Sequence, residues 1–157
     1  MKGIETMQLT QKESSLLKDM KDIEKLCIDK YARHASQASD AQLRQLFDGI
    51  CETERQHLAT LDTIGEGNTP LAASSAGTPA AQQFNVTYSL APSDEKKNDA
   101  YLCTDALAGE KHASALYDTC IFEFSDAAVR NALNHIQHEE QQHGKKIYDY
   151  MVCNGMY

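Results

Sequence analysis

Apolar positions recur at three- and four-residue steps through four stretches of this chain, the spacing at which side chains share one face of an α-helix. The first stretch carries the inward row Leu17, Met20, Glu24, Cys27, Tyr31, His34 and Ala38, and the second carries Phe47, Ile50, Glu54, His57, Leu61 and Ile64. The third, over about 94–124, carries Cys103, Ala106, Glu110, Ala113, Tyr117, Cys120 and Phe124. The fourth carries Val129, Leu133, Ile136, Glu140, His143, Ile147 and Tyr150. Boundary signals agree with these rows. Thr10-x-x-Glu13 is a capping box, in which a hydroxyl and a carboxylate satisfy two orphan amides reciprocally. Ser39 or Asp40 caps the second helix, Gly65 and Gly67 stop it, Ser125 or Asp126 opens the fourth, and Asn154-Gly155 ends it. Residues 1–9 read as a frayed leader.

Residues 67–94 change character, holding Pro70, Pro79 and Pro92 and a small-residue run from Ala72 to Ala81. A loop this long inside a compact domain ordinarily counts against an assignment. It is accounted for if it carries the chain the length of a bundle. Phe84, Val86, Tyr88 and Leu90 alternate, which predicts an extended segment packed on the helices. The tight joints near Ser39 and Ser125 make two antiparallel hairpins. The expectation is a single all-α domain over residues 1–157, a four-helix bundle of two hairpins joined by a long crossover.

The polar members of the inward rows change this picture. Glu24, Glu54, His57, Glu110, Glu140 and His143 lie on stripes otherwise filled by Leu, Ile and Phe. They also repeat at a constant offset of 86 positions (110 − 24, 140 − 54, 143 − 57). The same offset aligns Ser39-Asp40-Ala41 with Ser125-Asp126-Ala127, Arg44 with Arg130, Ile50 with Ile136, Gln56 with Gln142, Tyr31 with Tyr117 and Lys25 with Lys111. A helical hairpin is duplicated, at a period too long for a solenoid unit. Glu24 and Glu54 each stand about 14–15 residues from their joint, roughly 21–23 Å at 1.5 Å per residue, so they lie level across the hairpin. Glu110 and Glu140 do the same.

Four carboxylates buried together repel, and each costs several kcal/mol to desolvate. Two divalent cations cancel four negative charges, and neutral His completes each shell. In that arrangement Glu54 and Glu140 bridge the two metal ions, Glu24 and Glu110 are terminal ligands, and His57 and His143 each hold one ion. A Glu-x-x-His step puts both side chains on one helix face. Tyr31 and Tyr117 each follow a ligand Glu by seven residues and suit hydrogen bonds to carboxylates, though plain core packing explains them equally. Mixed oxygen and nitrogen ligation suits Fe or Mn, and Zn can occupy the site without redox chemistry. His34 reads as a satisfied core histidine, and His112, His135 and His138 as solvent-facing.

Composition excludes several alternatives. A net charge of −8 and a pI near 5.1 argue against nucleic acid as a partner, because its phosphates would be repelled. No apolar run approaches the ~20 residues of a membrane span, and no signal-peptide core follows the N-terminus. Five cysteines without a C-x-x-C pair read as buried thiols of a reduced compartment, and the missing pair removes a rubredoxin-type iron module.

The complete set resembles the ferritin-like dimetal carboxylate bundles, in which two helices each give one Glu and two others each give a Glu-x-x-His pair. Gly109-Glu110-x-x-Ala113-x-x-x-Tyr117 with Glu140-x-x-His143 is similar to the rubrerythrin branch of that superfamily. A closer resemblance is carried by Leu26-Cys27-Ile28-Asp29-Lys30-Tyr31, Tyr117-Asp118-Thr119, Ile121-Phe122-Glu123-Phe124, Asn134-His135-Ile136-Gln137, Glu139-Glu140-Gln141-Gln142-His143 and the Asn154-Gly155-Met156-Tyr157 end. These resemble the coat-F-like spore coat proteins of spore-forming bacteria, over most of the chain from about Met7 apart from the crossover. The resemblance implies a ferritin-like fold, synthesis in the cytoplasm of the sporulating cell, placement in the spore coat, and other spore coat proteins as partners. A homodimer is also expected. Two functions follow: a spore coat protein with a dinuclear Fe or Mn site, or a dimetal oxidoreductase removing peroxide as a catalase or rubrerythrin does. Iron storage is disfavoured, since nothing marks a cage-forming interface.

Overall fold

Each helix begins where a side chain supplies the acceptor that its first turn lacks. In the computed structural model, which describes residues 6–70 and 82–157, the helices are α1 (Gln11–Gln37), α2 (Ala41–Gly65), α3 (Asp94–Ile121) and α4 (Ala127–Cys153). Thr10 and Glu13 form the predicted capping box, with Thr10 Oγ1 accepting from Glu13 N at 3.1 Å and Glu13 Oε1 from Thr10 N at 2.9 Å. Asp40, Ser93 and Asp126 cap the other three. Gly65 is the last residue of α2, Glu66 caps it, and Gly67 follows with φ 81°, the left-handed conformation glycine adopts without penalty. Gly155, φ 66°, follows α4 in the same way. Helix α3 ends at Ile121, three residues before the expected Phe124, which is nonetheless buried.

Helix α1 packs along α2 and α3 along α4, and α1–α3 and α2–α4 contacts close the four-helix bundle. There is no strand among the described residues. Two apolar clusters fill its ends. One contains Tyr31, Leu43, Phe47, Ile50, Leu102 and Ile147, and the other contains Met20, Leu61, Ile64, Tyr117, Leu133 and Ile136. Burial of each such Leu or Ile stabilises by roughly 1.5–3 kcal/mol. The six polar residues of the inward rows lie between the clusters.

Two expectations are corrected. Residues 7–9 are not frayed: Met7 N donates to Gly67 O at 2.8 Å, and Met7 and Leu9 pack on the second cluster. The alternation of Phe84, Val86, Tyr88 and Leu90 does not set an inward face. Phe84 and Tyr88 are half-buried, while Val86 and Leu90 are 69% and 91% exposed. Side chains hold this part of the crossover instead of a strand ladder. Asn154 Oδ1 accepts from Thr87 N at 2.9 Å and Tyr88 N at 3.0 Å, and Gln42 bonds both backbone groups of Asn85. The first five residues and the run over 71–81, with Pro79, lie outside the described residues.

The hairpins finish one another. Asp99 of α3 is fully buried and accepts from Ser39 N at 2.8 Å, Asp40 N at 3.0 Å and Tyr88 Oη at 2.5 Å. Its counterpart 86 positions earlier is Glu13 of α1, whose Oε2 accepts from Ser125 N at 3.3 Å in the joint between α3 and α4. Each half therefore lends a buried carboxylate to the other half's turn, which also shows that α1 and α3 run antiparallel.

Removing Asp99 leaves two part-buried amides and a hydroxyl without an acceptor. Asp99→Ala should cost about 3 kcal/mol in a urea melt, and Glu13→Ala about 1 kcal/mol, since Glu13 serves one longer bond and a cap. Equal losses would show that the joints are held by apolar packing alone.

Candidate metal centre

The row spacing of 3.6 residues per turn returns Glu24, Glu54, Glu110 and Glu140 to the bundle axis midway along their helices. Glu24, Glu54 and Glu140 are fully buried, and Glu110, His57 and His143 nearly so. The six sort into two overlapping groups, Glu24–Glu54–His57–Glu140 and Glu54–Glu110–Glu140–His143, within each of which the ligand atoms lie within 4.8 Å of one another. Glu54 and Glu140 belong to both. His57 Nδ1 stands 3.0 Å from Glu140 Oε1 and 3.7 Å from both Glu24 Oε1 and Glu54 Oε2. His143 Nδ1 mirrors it, at 3.0 Å from Glu54 Oε1, 3.4 Å from Glu110 Oε1 and 3.8 Å from Glu140 Oε2. The two imidazoles stack with centroids 6.1 Å apart.

These atoms converge without satisfying each other. Glu24 Oε2, both Glu54 oxygens, Glu110 Oε2, Glu140 Oε2 and His143 Nδ1 are buried with no hydrogen-bond partner. His143 Nδ1 and Glu54 Oε1 are close, but not aligned for a bond. Orphaned lone pairs in a dry interior are costly, and a cation at the point where they meet removes the cost. The donors of each group are thus of a kind and placement that could hold a metal ion.

Tyr31 and Tyr117 bond across the halves. Tyr31 Oη donates to Glu110 Oε1 at 2.5 Å and Tyr117 Oη to Glu24 Oε1 at 2.6 Å. Helical side chains tilt toward their own N-terminus, and between antiparallel helices that tilt delivers each phenol to the opposite Glu. Burial pushes both phenols well above the ordinary range, so they remain donors.

In the metal-free protein the same proximity sorts protons. Burial raises Glu24 to about 9 and lifts Glu110 well above the carboxylate range. Burial opposes ionisation of Glu54 and Glu140 too, but the adjacent histidines and the neighbouring Glu24 and Glu110 carboxyls hold both below the ordinary value. Burial alone would depress His57 and His143; the surrounding carboxylates raise both. The site thus pushes Glu24 and Glu110 toward the neutral form, Glu54 and Glu140 toward the carboxylate, and both imidazoles toward the charged form.

Spacing did not single out Glu139. Its Oε1 lies 3.2 Å from His57 Nε2 and 2.7 Å from His135 Nε2, so His135 is half-buried against Glu139 instead of fully solvent-facing. The position 86 earlier is Thr53, so the duplication gave no hint of it. His34 bonds Asp105 Oδ2 at 2.8 Å through Nε2 and packs on Tyr31 and Phe47, away from the centre. His112 and His138 are exposed. All five cysteines are free thiols, four buried and Cys153 half-buried.

Residues 98–157 match the family described as Coat F domain. This is narrower than the resemblance read from the sequence, since Leu26–Tyr31 and the rest of the first hairpin lie outside it. Comparison with curated proteins and with solved structures gives no match. Among the described residues no helix is long and apolar enough to cross a membrane.

The proton distribution fixes the sign of one pH effect. Glu24 binds its proton up to about 9 when folded but only to its ordinary 4.5 when unfolded, and Glu110 and the histidines are also raised. The folded state then holds more protons than the unfolded one, so stability falls as pH rises from about 4.5 to 9. Each retained proton contributes up to about 1.4 kcal/mol per pH unit. Metal-free protein should therefore melt lower at pH 9 than at pH 6, and Glu24→Gln should flatten the dependence. A melting temperature that climbs over this range would contradict the distribution.

Proposed function

We propose that this chain is a spore coat component of ferritin-like fold whose bundle holds two Fe or Mn ions in one four-Glu, two-His centre. The coat assignment is supported by the Coat F match over α3 and α4, and it implies other coat proteins as partners and passage from the cytoplasm of the sporulating cell to the coat; a homodimer is proposed separately. The metal assignment rests on one observation: buried carboxylate and imidazole atoms converge in two overlapping groups and are left without partners. Glu54 and Glu140, common to both groups, would bridge. Glu24 with His57 and Glu110 with His143 would complete the two ends, and the phenols of Tyr31 and Tyr117 would hold the terminal carboxylates in place. Zn satisfies the same donors.

A second reading, peroxide removal, is favoured by the groove between α3 and α4, whose floor includes Glu110 and Glu140. Bound there, an Fe or Mn pair supplies electron exchange with a small oxidant. The chain's own contribution is a dry, charge-neutral pocket and two phenols that fix the carboxylates.

Four protons must leave if two dications replace the metal-free charge distribution. Loading with Mn or Fe at pH 7 should bind two ions per chain and release about four protons, read by elemental analysis and by calorimetry in buffers of different ionisation enthalpy. Glu54→Ala and Glu140→Ala should each lower the metal content and narrow the gap in melting temperature between loaded and metal-free protein. Less than one ion per chain at saturation would end the metal reading. Oxygen evolution from peroxide, compared with free ion and with Glu110→Gln, separates a reactive centre from a structural one.

A further inference from the structure

The duplication is not symmetric at the surface. A groove of about 600 Å³ runs between α3 and α4, walled by Leu107, Lys111, Ser114, Gln141, Gly144 and Lys145, and its floor is formed by Glu110 and Glu140. One oxygen of each of these carboxyls, Oε2, is buried and unpartnered. The structure confirms which residues correspond in the other half. Gln137 Nε2 donates to Ser114 O at 2.9 Å, and 86 positions earlier Cys51 Sγ contacts Ile28 O at 3.3 Å in the same way. At the positions matching Ser114 and Gly144, the α1–α2 hairpin carries Ile28 and Leu58, both half-buried.

Gly144 is not required by the backbone. It lies inside α4 without a positive φ, and a Cβ there would meet only Leu107 Cδ1 at 3.5 Å and Glu110 Cβ at 3.9 Å, ordinary contacts. Glycine weakens a helix interior relative to alanine. What it provides here is space above Glu110.

We propose that this groove is the entrance through which a small anion of two or three heavy atoms reaches the Glu110–His143 end of the centre, and that Ile28 and Leu58 close the duplicated route. The proposal rests on the metal reading above. Lys111 and Lys145 place ammonium groups on the rim. Lys145 pairs with Asp149, whereas Lys111 has no ion pair among the described residues; Asp118 is the acidic member of the rim. A bare hydrocarbon entrance would favour neutral solutes, and these cations favour an anion.

The test uses the full chain loaded with ferric iron, with azide as the probe and its absorbance change as the readout. Metal content is measured first for every variant. Wild type should bind azide, Gly144→Leu should slow its entry at least tenfold at full metal content, and Gly144→Ala should leave the rate unchanged while raising the melting temperature. Leu58→Ala, in the wild-type or Gly144→Leu background, should speed entry by opening the other side. If Gly144→Leu does not fold, Ser114→Ile closes the same groove with the residue of the other half. An unchanged azide rate in a closed, fully loaded variant overturns the entrance. Absence of metal from wild type defeats the metal reading and the entrance with it, and is told apart by the elemental count.

Discussion

Four carboxyl groups share the dry middle of this bundle, and every other arrangement in the structure has to keep their charge balanced. Burial raises Glu24 and Glu110, and the surrounding carboxylates raise the two histidines, which favours retained protons there. On the metal reading proposed above, two dications would balance the same four carboxylates. The apolar clusters at either end are what make this strict, since they exclude the water that would otherwise screen the carboxylates.

The four helices, their caps and the six central residues could be read in the sequence because each depends on local periodicity. A Glu on a row of Leu and Ile three or four residues away has only one place to point. The offset of 86 then pairs the two halves. Features that depend on contact between distant segments could not be read this way. The bonds from Tyr31 to Glu110 and from Tyr117 to Glu24 follow from the antiparallel run of α1 and α3, not from the seven-residue step within each helix. The failure of alternation over Phe84–Leu90 has the same origin: Asn154, far along the chain, sets that backbone. Glu139 escaped because it has no duplicated partner. Asp99 could have been found, since it stands 86 positions after the capping-box Glu13.

The two halves share the central residues Glu24/Glu110, Tyr31/Tyr117, Glu54/Glu140 and His57/His143, while much of the apolar interior differs, as in Met20/Ala106, Phe47/Leu133 and Ile64/Tyr150. The central positions face one shared charge problem, so a change on one side has to be answered on the other. At the surface, Ser114 and Gly144 differ from Ile28 and Leu58 with no such constraint, and the two hairpins are free to take different tasks.

The exchange of Asp99 and Glu13 has a consequence for how the chain reaches its folded state. A lone hairpin lacks the carboxylate that satisfies its own turn amides, and exposes a carboxylate meant for the other turn. Half-folded species are therefore penalised at both ends at once, which favours cooperative folding of the two hairpins. The described part of the crossover joins this exchange, since Tyr88 Oη donates to the same Asp99 and its backbone is held by Asn154 at the end of α4, so the segment that links the hairpins is tied to both.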